Sequence, residues 1–372
     1  MAMFEITAHM LEALAIGAGI LGTGGGGNPY IGKLECLEQL RAGKSIRVVS
    51  LDEVPDDAFI TTIGNMGAPI VSVERLPHGE EPLLALRALE RHLGRPFTHV
   101  LPGEIGGANS MAPMVVAART GLPVVDGDGM GRAFPELQMD TFTIYGVRAT
   151  PAAIADPRGH VVIFDGIPDA ETLERYARVV TVQMGGSAGY AFPPMTAADL
   201  RRTVIPGTVT LAIRIGEAVL AARSGFHENP VDAALRVAGG VRLFHGKIVD
   251  VERRLVGGFA RGVLNLDGTG PDHGRALRID FQNENLIARD GAGTVLAVVP
   301  DLICIVDEDT AEPITTEIVR YGLRVVVTAI PAPAMLKTPE ALKIIGPAAF
   351  GYPEVPYQPM AGVFGSGLLQ PR

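Results

Sequence analysis

The sequence predicts an α/β protein: an N-terminal α/β domain with Gly-rich loops, followed by a C-terminal β-rich domain. Up to about residue 165, short apolar strands alternate with Gly-rich loops and with segments of helical periodicity. Beyond Val241, strand-like segments follow one another through tight turns such as Asp290-Gly291. In addition, 46 of the 372 residues are glycine, against a usual ~7%, and they show no repeating period. The glycines are therefore expected in many tight loops.

The first elements are two helices separated by a Gly-rich loop. Apolar residues at helical spacing predict the first helix; they are Leu11, Leu14, Ala18 and Leu21. The run GTGGGG over 22–27 ends this pattern. Asn28-Pro29 begins the second helix, because Asn is a good N-cap and Pro is tolerated at the first helical position. This helix is expected to end near Ala42.

Short strands then alternate with helices. Strands are predicted over 46–49, 59–63, 97–101 and 122–125, with a Leu-rich helix over 83–93. In such layers, ligands bind beyond the carboxyl ends of the strands. The loops that follow these strands are therefore the places to look for a site.

The remaining chain is predicted to form a helical connection, the β-rich domain and a tail. A long helix is predicted over 208–222, and a shorter one begins at Asn229-Pro230. The predicted domains are residues 1–165 and 166–330, the second including the helical connection. The Pro- and Gly-rich tail, residues 331–372, is expected to return to the first domain.

Composition excludes several classes of function. The net charge is −9, aromatic residues make up 5% and Trp is absent, so a nucleic-acid partner is not expected. The first twelve residues lack a cationic signal-peptide start, and the apolar run over 325–336 is short and broken by Pro. No membrane association is expected, and the predicted location is cytoplasmic. Cys36 and Cys304 are too far apart for a disulfide framework or a paired zinc motif.

The first polar cluster is the glycine run Gly24, Gly25, Gly26 and Gly27. Consecutive glycines allow close approach of the backbone to a ligand, and the following helix N-terminus favours an anion or carboxylate. A dinucleotide loop requires a preceding strand, whereas a helix precedes this run. A tight connection without a ligand remains the structural alternative.

The second cluster is Glu104 with Asn109 and Ser110. Glu104 follows a predicted strand between small residues, where a carboxylate can face a pocket. The alternative is a solvated glutamate followed by a helix cap.

The third cluster lies in VVDGDGMGRAFPELQMD and comprises Asp126, Asp128, Arg132, Glu136 and Gln138. Carboxylates at the end of an apolar strand can act as general acid and base if their pKa values are pushed apart. The spacing does not match a calcium loop. Arg132 can balance these charges or hold a substrate carboxylate. The alternative is a turn in which the Asp side chains bind their own backbone.

A weaker polar run is FQNEN over 281–285. It can supply amide hydrogen bonds to a heterocycle, but an exposed strand face is the favoured interpretation.

Three long motifs resemble the S-methyl thiohydantoin desulfurase family. They are GAGILGTGGGGNPYIGKL (17–34), LPGEIGGANS (101–110) and GLPVVDGDGMGRAFPELQM (121–139). The similarity extends to FQNENLIA and TEIVRYGLRV. It implies two domains with a site in or near their cleft, and hydrolysis of an S-methylated thiohydantoin to a hydantoin and methanethiol.

This chemistry needs a base for water, an acid for nitrogen or sulfur, and donors that fix the ring. We expect Asp126 and Asp128 to be the acid and base, with Glu104 as the second candidate. Asn109 and Gln138 are expected to bind the ring, with Glu136 in the same set. The backbone of Gly24–Gly27 and Arg132 are expected to hold a substrate carboxylate.

Two other functions are also compatible with the sequence. One is a metal-assisted hydrolase of a cyclic amide, with Asp126, Asp128 and a histidine as ligands. The other is a noncatalytic partner subunit of a hydantoinase-type enzyme. No cofactor is predicted, although a divalent metal is left open. The expected partners are a small-molecule substrate and further copies of the chain.

Overall fold

A computed structural model describes residues 3–67, 71, 79–225 and 228–360. Strands and helices are numbered separately in chain order. The strands up to residue 206 are β1 (Phe4–Glu5), β2 (Arg47–Val49), β3 (Phe59–Gly67), β4 (His99–Pro102), β5 (Val124–Val125), β6 (Gly127–Asp128), β7 (Ala152–Ala155), β8 (Val161–Phe164), β9 (Ser187–Thr196) and β10 (Ile205–Pro206). The later strands are β11 (Val241–Val256), β12 (Phe259–Gly268), β13 (Ala276–Gln282), β14 (Glu284–Asp290), β15 (Val295–Val298), β16 (Leu302–Asp307) and β17 (Arg324–Ile330).

Ten α-helices accompany these strands in the described ranges. They are α1 (Ala8–Leu21), α2 (Pro29–Arg41), α3 (Glu81–Leu93), α4 (Ala112–Thr120), α5 (Thr141–Ile144), α6 (Ala170–Gln183), α7 (Ala197–Thr203), α8 (Thr208–Gly225), α9 (Pro230–Ala238) and α10 (Pro339–Ile345). None of the helices in these ranges is long and apolar enough to cross a membrane.

The first sheet has eight strands in the order β1-β2-β5-β4-β3-β9-β7-β8. Strands β2, β5, β4 and β3 run parallel, and the remaining pairs are antiparallel. The parallel centre is buried and rich in apolar residues, as expected for strands covered on both faces. The carboxyl ends of β3, β4 and β5 consequently meet at one edge, where the Gly-rich loops begin.

The second sheet has seven antiparallel strands in the order β15-β14-β13-β12-β11-β17-β16. A separate two-stranded ladder joins β6 to β10. The predicted combination of an N-terminal α/β layer and a C-terminal β-rich layer is thus confirmed.

Helices α1 and α8 cross at two glycines. A Cβ atom on Gly17 would lie 1.8 Å from the carbonyl oxygen of Ala212, and one on Gly216 would lie 1.8 Å from that of Ala13. Only hydrogen fits at either position, so these glycines set the close approach of the helices. One buried apolar cluster includes residues of α1 and of strands in both sheets, so the two layers share a core.

Loops of the second layer dock on the glycine run. The N–H of Asn285 donates to the carbonyl oxygen of Thr23 over 2.8 Å. The N–H of Thr316 donates to that of Gly24, also over 2.8 Å. These bonds bring the β13–β14 turn and the segment before β17 to the edge where β3 and β4 end.

Local sequence signals placed several element ends well. The side chains of Asn28 and Asn229 accept the N–H of Tyr30 and Val231, at 2.9 and 2.8 Å, and begin α2 and α9 as predicted. Strand β3 continues past residue 63 to Gly67, because residues 63–67 pair with β9. Pairing with a distant strand leaves no local signal in the sequence.

Two residues of the tail form hydrogen bonds with earlier parts of the chain. The hydroxyl of Thr338 lies 2.8 Å from the hydroxyl of Tyr145, and the N–H of Met360 donates to Asp301 Oδ2 over 2.9 Å. Residues 361–372 lie outside the described residues. The proposed domain boundaries stay predictions.

Candidate active site

A cavity of about 370 Å³ lies at the edge where β3 and β4 meet the docked loops of the second layer. Part of its wall is apolar, formed by Met66, Val115, Val116, Met130, Phe134 and Leu137. Its charged lining is almost wholly acidic and comprises Glu35, Glu81, Glu104, Glu136, Glu284, Glu317 and Arg178. The cavity therefore combines partial exclusion of water with several carboxyl groups.

Glu104 follows β4 directly and is buried in this wall. Its Oε1 accepts a hydrogen bond from Asn109 Nδ2 over 2.6 Å, and its Oε2 accepts one from the N–H of Phe134 over 3.0 Å. Burial raises the pKa of Glu104 to about 8, and the two donors only partly offset this effect. Such a group changes its charge near neutral pH, as a general acid or base requires.

Asn109 connects Glu104 to β3 and does not cap α4. Its Nδ2 also donates to the carbonyl oxygen of Asn65 over 3.0 Å, and its Oδ1 accepts the N–H of Asn65 over 2.7 Å. Both amide hydrogens are thereby engaged. Asn109 lines the cavity, but its hydrogen bonds fit a role in positioning Glu104 better than the expected role in binding the ring.

Glu284 is the acidic residue that the sequence interpretation missed. The segment 281–285 was expected to be an exposed strand face, but Gln282, Asn283, Glu284 and Asn285 are all buried. They form the sharp turn between β13 and β14, in which Asn283 has a φ of 55°. The signal that could have revealed it is the density of polar residues in an otherwise apolar strand pair.

Glu284 is 2% exposed, and its Oε2 has no hydrogen-bond partner among the described residues. Burial, followed by the charge of Glu104, raises the pKa of Glu284 well above its ordinary value. Glu104 accepts two hydrogen bonds that favour its ionised form. We therefore assign the proton to Glu284 in the state where the pair holds one proton.

The glycine run has two parts. Gly26 and Gly27 line the cavity, and no described residue accepts a hydrogen bond from their N–H groups. Gly24 and Gly25 lie behind them: the carbonyl oxygen of Gly24 binds Thr316, and a Cβ on Gly25 would lie 2.0 Å from Glu284 Oε1. The glycine run thus lets the backbone pass close to the side chain of Glu284.

Asp126 and Asp128 lie outside the lining of the cavity. Asp126 accepts the N–H of Thr210 over 3.0 Å and also binds its hydroxyl, at the first turn of α8. Asp128 Oδ2 accepts three backbone N–H groups, from Ile105, Met130 and Gly131. Burial raises the pKa of Asp128 to about 7. Asp128 thus holds the backbone on either side of Glu104 in the fold, and Asp126 holds the first turn of α8.

Arg132 is fully buried and uses all five of its N–H groups inside the protein. Nε donates to the carbonyl oxygen of Ala133, Nη1 to those of Pro300 and Asp301, and Nη2 to Thr23 Oγ1 and the carbonyl oxygen of Asn285. No donor is left for a substrate carboxylate. Arg132 ties the glycine run to the second layer.

The last two predicted site residues are Glu136 and Gln138. Glu136 lines it, and burial raises the pKa of this carboxyl group. Gln138 donates to Glu136 Oε2 and is not part of the lining. The structure thus brings together Glu104, Asn109, Glu136, Gly26 and Gly27, and adds Glu284.

The described side chains show neither a metal-binding cluster nor an accessible thiol. Within the described ranges, no group of three or more His, Cys, Asp or Glu side chains is arranged to hold a metal ion. Cys36 and Cys304 are buried, and burial raises the pKa of the Cys304 thiol to about 12. Both cysteines have the environment of structural residues.

Comparison with known proteins identifies the family of this chain. Family models described as S-Me-THD-like match residues 9–166 with the N-terminal domain and residues 168–360 with the C-terminal domain. A crystal structure of a protein from Chromobacterium violaceum superposes with a TM-score of 0.79 at 28% identity, covering 96% of this chain and 100% of that chain. No curated protein matches. The chain therefore belongs to the S-Me-THD-like family, as the resemblance to S-methyl thiohydantoin desulfurase implied.

Proposed function

We propose that the protein hydrolyses S-methyl thiohydantoins, releasing methanethiol and leaving the hydantoin ring. The observation that carries this proposal is the pair of buried carboxyl groups, Glu104 and Glu284, on one cavity. One of them accepts two hydrogen bonds, and the other has an oxygen without a partner among the described residues. Such a pair provides a base and an acid in one site. Membership of the S-Me-THD-like family supports this class of substrate.

In the first half of the proposed reaction, Glu284 donates its proton to the ring nitrogen beside the carbon that bears the S-methyl group. That carbon becomes more electrophilic, and a water molecule adds to it. The Glu104 carboxylate takes the proton of this water. The product is a tetrahedral adduct that carries a hydroxyl group, the S-methyl group and a ring N–H.

In the second half, the adduct collapses. Its hydroxyl proton passes to Glu284, the carbonyl forms, and the bond between carbon and sulfur breaks. Glu104 gives its proton to the departing sulfur, so methanethiol leaves and both carboxyl groups regain their starting state. Water is consumed, and no other reactant is needed.

The surrounding residues have supporting roles in this proposal. The N–H groups of Gly26 and Gly27 are available to a carbonyl oxygen of the ring. Asn109 positions Glu104. The apolar side chains of Met130 and Phe134 reduce the access of water, which keeps the pKa values of both carboxyl groups raised.

The test is release of methanethiol from a 5-alkyl S-methyl thiohydantoin. The wild type is expected to turn it over, whereas Glu104→Gln and Glu284→Gln should each lower kcat/KM by roughly 10²-fold or more. Glu217→Gln, on the exposed side of α8, is the matched control and should match the wild type. Absence of release by the wild type would overturn the proposal.

The same assay, run on chelator-treated and metal-replete protein, decides the metal-assisted alternative. Equal rates support acid and base catalysis by the two glutamates. Release only in the presence of metal would contradict it.

A further inference from the structure

We infer that a second cavity, on strands β11, β12 and β13, binds a small organic anion that carries a phosphate or carboxylate group. This cavity shares no lining residue with the candidate active site. The inference therefore goes beyond the proposed function and does not depend on it.

The second cavity has a volume of about 390 Å³ and lies between the three strands and the tail. Phe350 and Tyr352 of the tail line it, together with Leu286 of β14. Its charged lining contains three arginines and two acidic residues, which are Arg254, Arg261, Arg278, Glu252 and Asp280. The balance is positive, in a chain whose net charge is −9.

The register of the sheet places two of these arginines directly opposite each other. Arg254 pairs with Arg261 across β11 and β12, and Arg261 pairs with Gln282 across β12 and β13. These three residues thus form one row across the sheet, the basic row. Like charges in a directly opposed pair are destabilising. Neither guanidinium group forms a hydrogen bond or an ion pair with any residue that the structure describes, so an anion between the two would remove their repulsion.

Gln282 supplies an independent observation that points to a ligand. The residue is 3% exposed and lines the cavity. Its side-chain amide has no hydrogen-bond partner in the described ranges. Buried polar groups are normally hydrogen-bonded, so an unpaired amide at a cavity wall indicates a partner supplied by the ligand. The amide can donate to the same anion as the two guanidinium groups.

The two acidic residues of the cavity act on Arg278, which is not in the basic row. Asp280 Oδ1 lies 3.0 Å from Arg278 Nη2, and Asp280 Oδ2 lies 3.8 Å from Arg289 Nε. The hydrogen bond with Asp280 raises the pKa of Arg278, and the charge of Glu252 adds to this effect. Neither acidic residue forms an ion pair with the arginines of the basic row. Their charges are therefore available to a ligand.

Tyr352 adds a further donor close to the basic row. Burial and the charge of Asp280 raise the pKa of its hydroxyl, so the group stays protonated at neutral pH. The charges of Arg278, Arg289 and Arg261 oppose this effect only in part. The hydroxyl has no hydrogen-bond partner in the part of the chain that the structure describes, so it can donate to a ligand.

These donors fit the chemistry of a phosphate or a carboxylate. A guanidinium group forms two parallel hydrogen bonds with the oxygens of either group. The volume of the cavity is within the range of cavities that bind small organic molecules, and Leu286 and Phe350 offer apolar contact to an organic body. The inferred ligand is therefore an organic phosphate or carboxylate.

The first experiment is calorimetric titration of the full chain at low salt with phenyl phosphate, benzoate and the neutral benzyl alcohol. We expect saturable binding of at least one anion, weakened by added salt because salt screens the charges. The tighter of the two anions identifies the acidic group that the cavity prefers. Absence of binding by both anions, or equally tight binding of benzyl alcohol, would overturn the inference.

Variants then test the place of binding. Arg261→Gln and Gln282→Met should each lower the affinity for the preferred anion by roughly tenfold, since each removes a hydrogen bond to a charged group. Arg214→Gln is the matched control, because it removes an exposed guanidinium group of α8 outside the cavity. It should bind as the wild type does. Unchanged affinity in both cavity variants would contradict a site at the basic row.

Thermal unfolding separates lost binding from lost folding. Without anion, Arg261→Gln should unfold at no lower temperature than the wild type, because the substitution removes the repulsion between two opposed arginines. The preferred anion should raise the unfolding temperature of the wild type but much less that of the variant. An equal increase in both proteins would reject the site. None of these measurements uses turnover, so their outcome is independent of the hydrolase proposal.

Discussion

Asn109 Nδ2 donates to Glu104 Oε1 over 2.6 Å, and the same amide group is fixed on Asn65 at the end of β3. One side chain therefore ties the candidate base to a strand next to its own. A donated hydrogen bond also favours the ionised form of a carboxyl group. Asn109 thus affects both the position and the pKa of Glu104.

Asn109→Ala should shift the pH dependence of turnover. As a base, Glu104 must be ionised, so kcat/KM of the wild type is expected to rise with pH through about 8. Loss of the Asn109 donor raises the pKa of Glu104 further and moves this rise to higher pH. Part of the lost activity should return in alkaline buffer.

The control for this shift is Ser110→Ala. The Ser110 hydroxyl donates to the carbonyl oxygen of Gly107 over 2.7 Å and not to Glu104. Its pH profile should match that of the wild type. If the kcat/KM of Asn109→Ala is lower than that of the wild type by the same factor at every pH, Asn109 has a structural role only.

The raised pKa of Glu104 also predicts a dependence of stability on pH. The group ionises near its ordinary value of 4.5 in the unfolded chain and near 8 in the folded protein. Between these values only the unfolded state releases the proton, so the free energy of unfolding falls as pH rises. The steepest contribution is about 1.4 kcal/mol per pH unit.

Glu104→Gln removes this contribution. Denaturant titrations of wild type and variant between pH 5 and pH 8 are the measurement, with the range set by the two pKa values. The variant should gain stability relative to the wild type as pH rises. A constant difference would show that Glu104 has an ordinary pKa in the folded protein.

The layers and helix ends of the fold were predictable from local patterns. Asn-Pro pairs marked the starts of α2 and α9, because both residue types act within one helical turn. The edge of the first sheet was predictable as well, since Glu104 follows an apolar strand and faces the cavity. These features depend on neighbours in the sequence.

The roles of the acidic residues were less predictable. Asp126 and Asp128 have the same local pattern as Glu104, but their partners decide their roles: Thr210 for Asp126 and backbone N–H groups for Asp128. Glu284 lies 180 positions beyond Glu104 and reaches the site only because the β13–β14 turn docks on Thr23. A contact between residues so far apart in the chain produces no recognisable spacing in the sequence.

Asp126→Asn should affect stability more than chemistry. The carboxylate accepts the N–H of Thr210 and binds its hydroxyl at the start of α8, where negative charge is also favoured by the helix dipole. Loss of the charge and of one acceptor is expected to lower the free energy of unfolding by about 1–2 kcal/mol. The kcat/KM of the folded variant should stay within a few-fold of the wild type.

Thermal unfolding and methanethiol release are measured on the same preparation of Asp126→Asn. If the variant has wild-type stability but loses more than 100-fold in turnover, Asp126 acts as the acid or base, as expected from the sequence. The matched variant Asp140→Asn removes another cap, which binds the N–H of Thr143 over 2.6 Å, and should behave in the same way.

Gly25→Ala tests the contact between the glycine run and Glu284. The new Cβ would lie 2.0 Å from Glu284 Oε1, so the carboxyl group has to move away. The obstructing atoms are Oε1, Cδ and Cγ of one side chain and not backbone, and Gly25 has no positive φ, so the chain is expected to fold. A displacement of about 1 Å at a catalytic group can lower the rate by about 10²-fold, and we expect a loss of that order in kcat.

Gly291→Ala is the matched control, because a Cβ there meets Ala276 at an ordinary 3.5 Å in a turn that is not part of the cavity lining. It should retain wild-type turnover and thermal stability. If Gly25→Ala unfolds at the wild-type temperature and also keeps its turnover, Glu284 tolerates displacement and cannot be the proton donor. If it loses turnover while Gly291→Ala does not, the position of the Glu284 carboxyl group limits the reaction, and the absence of a side chain at Gly25 is what allows that position.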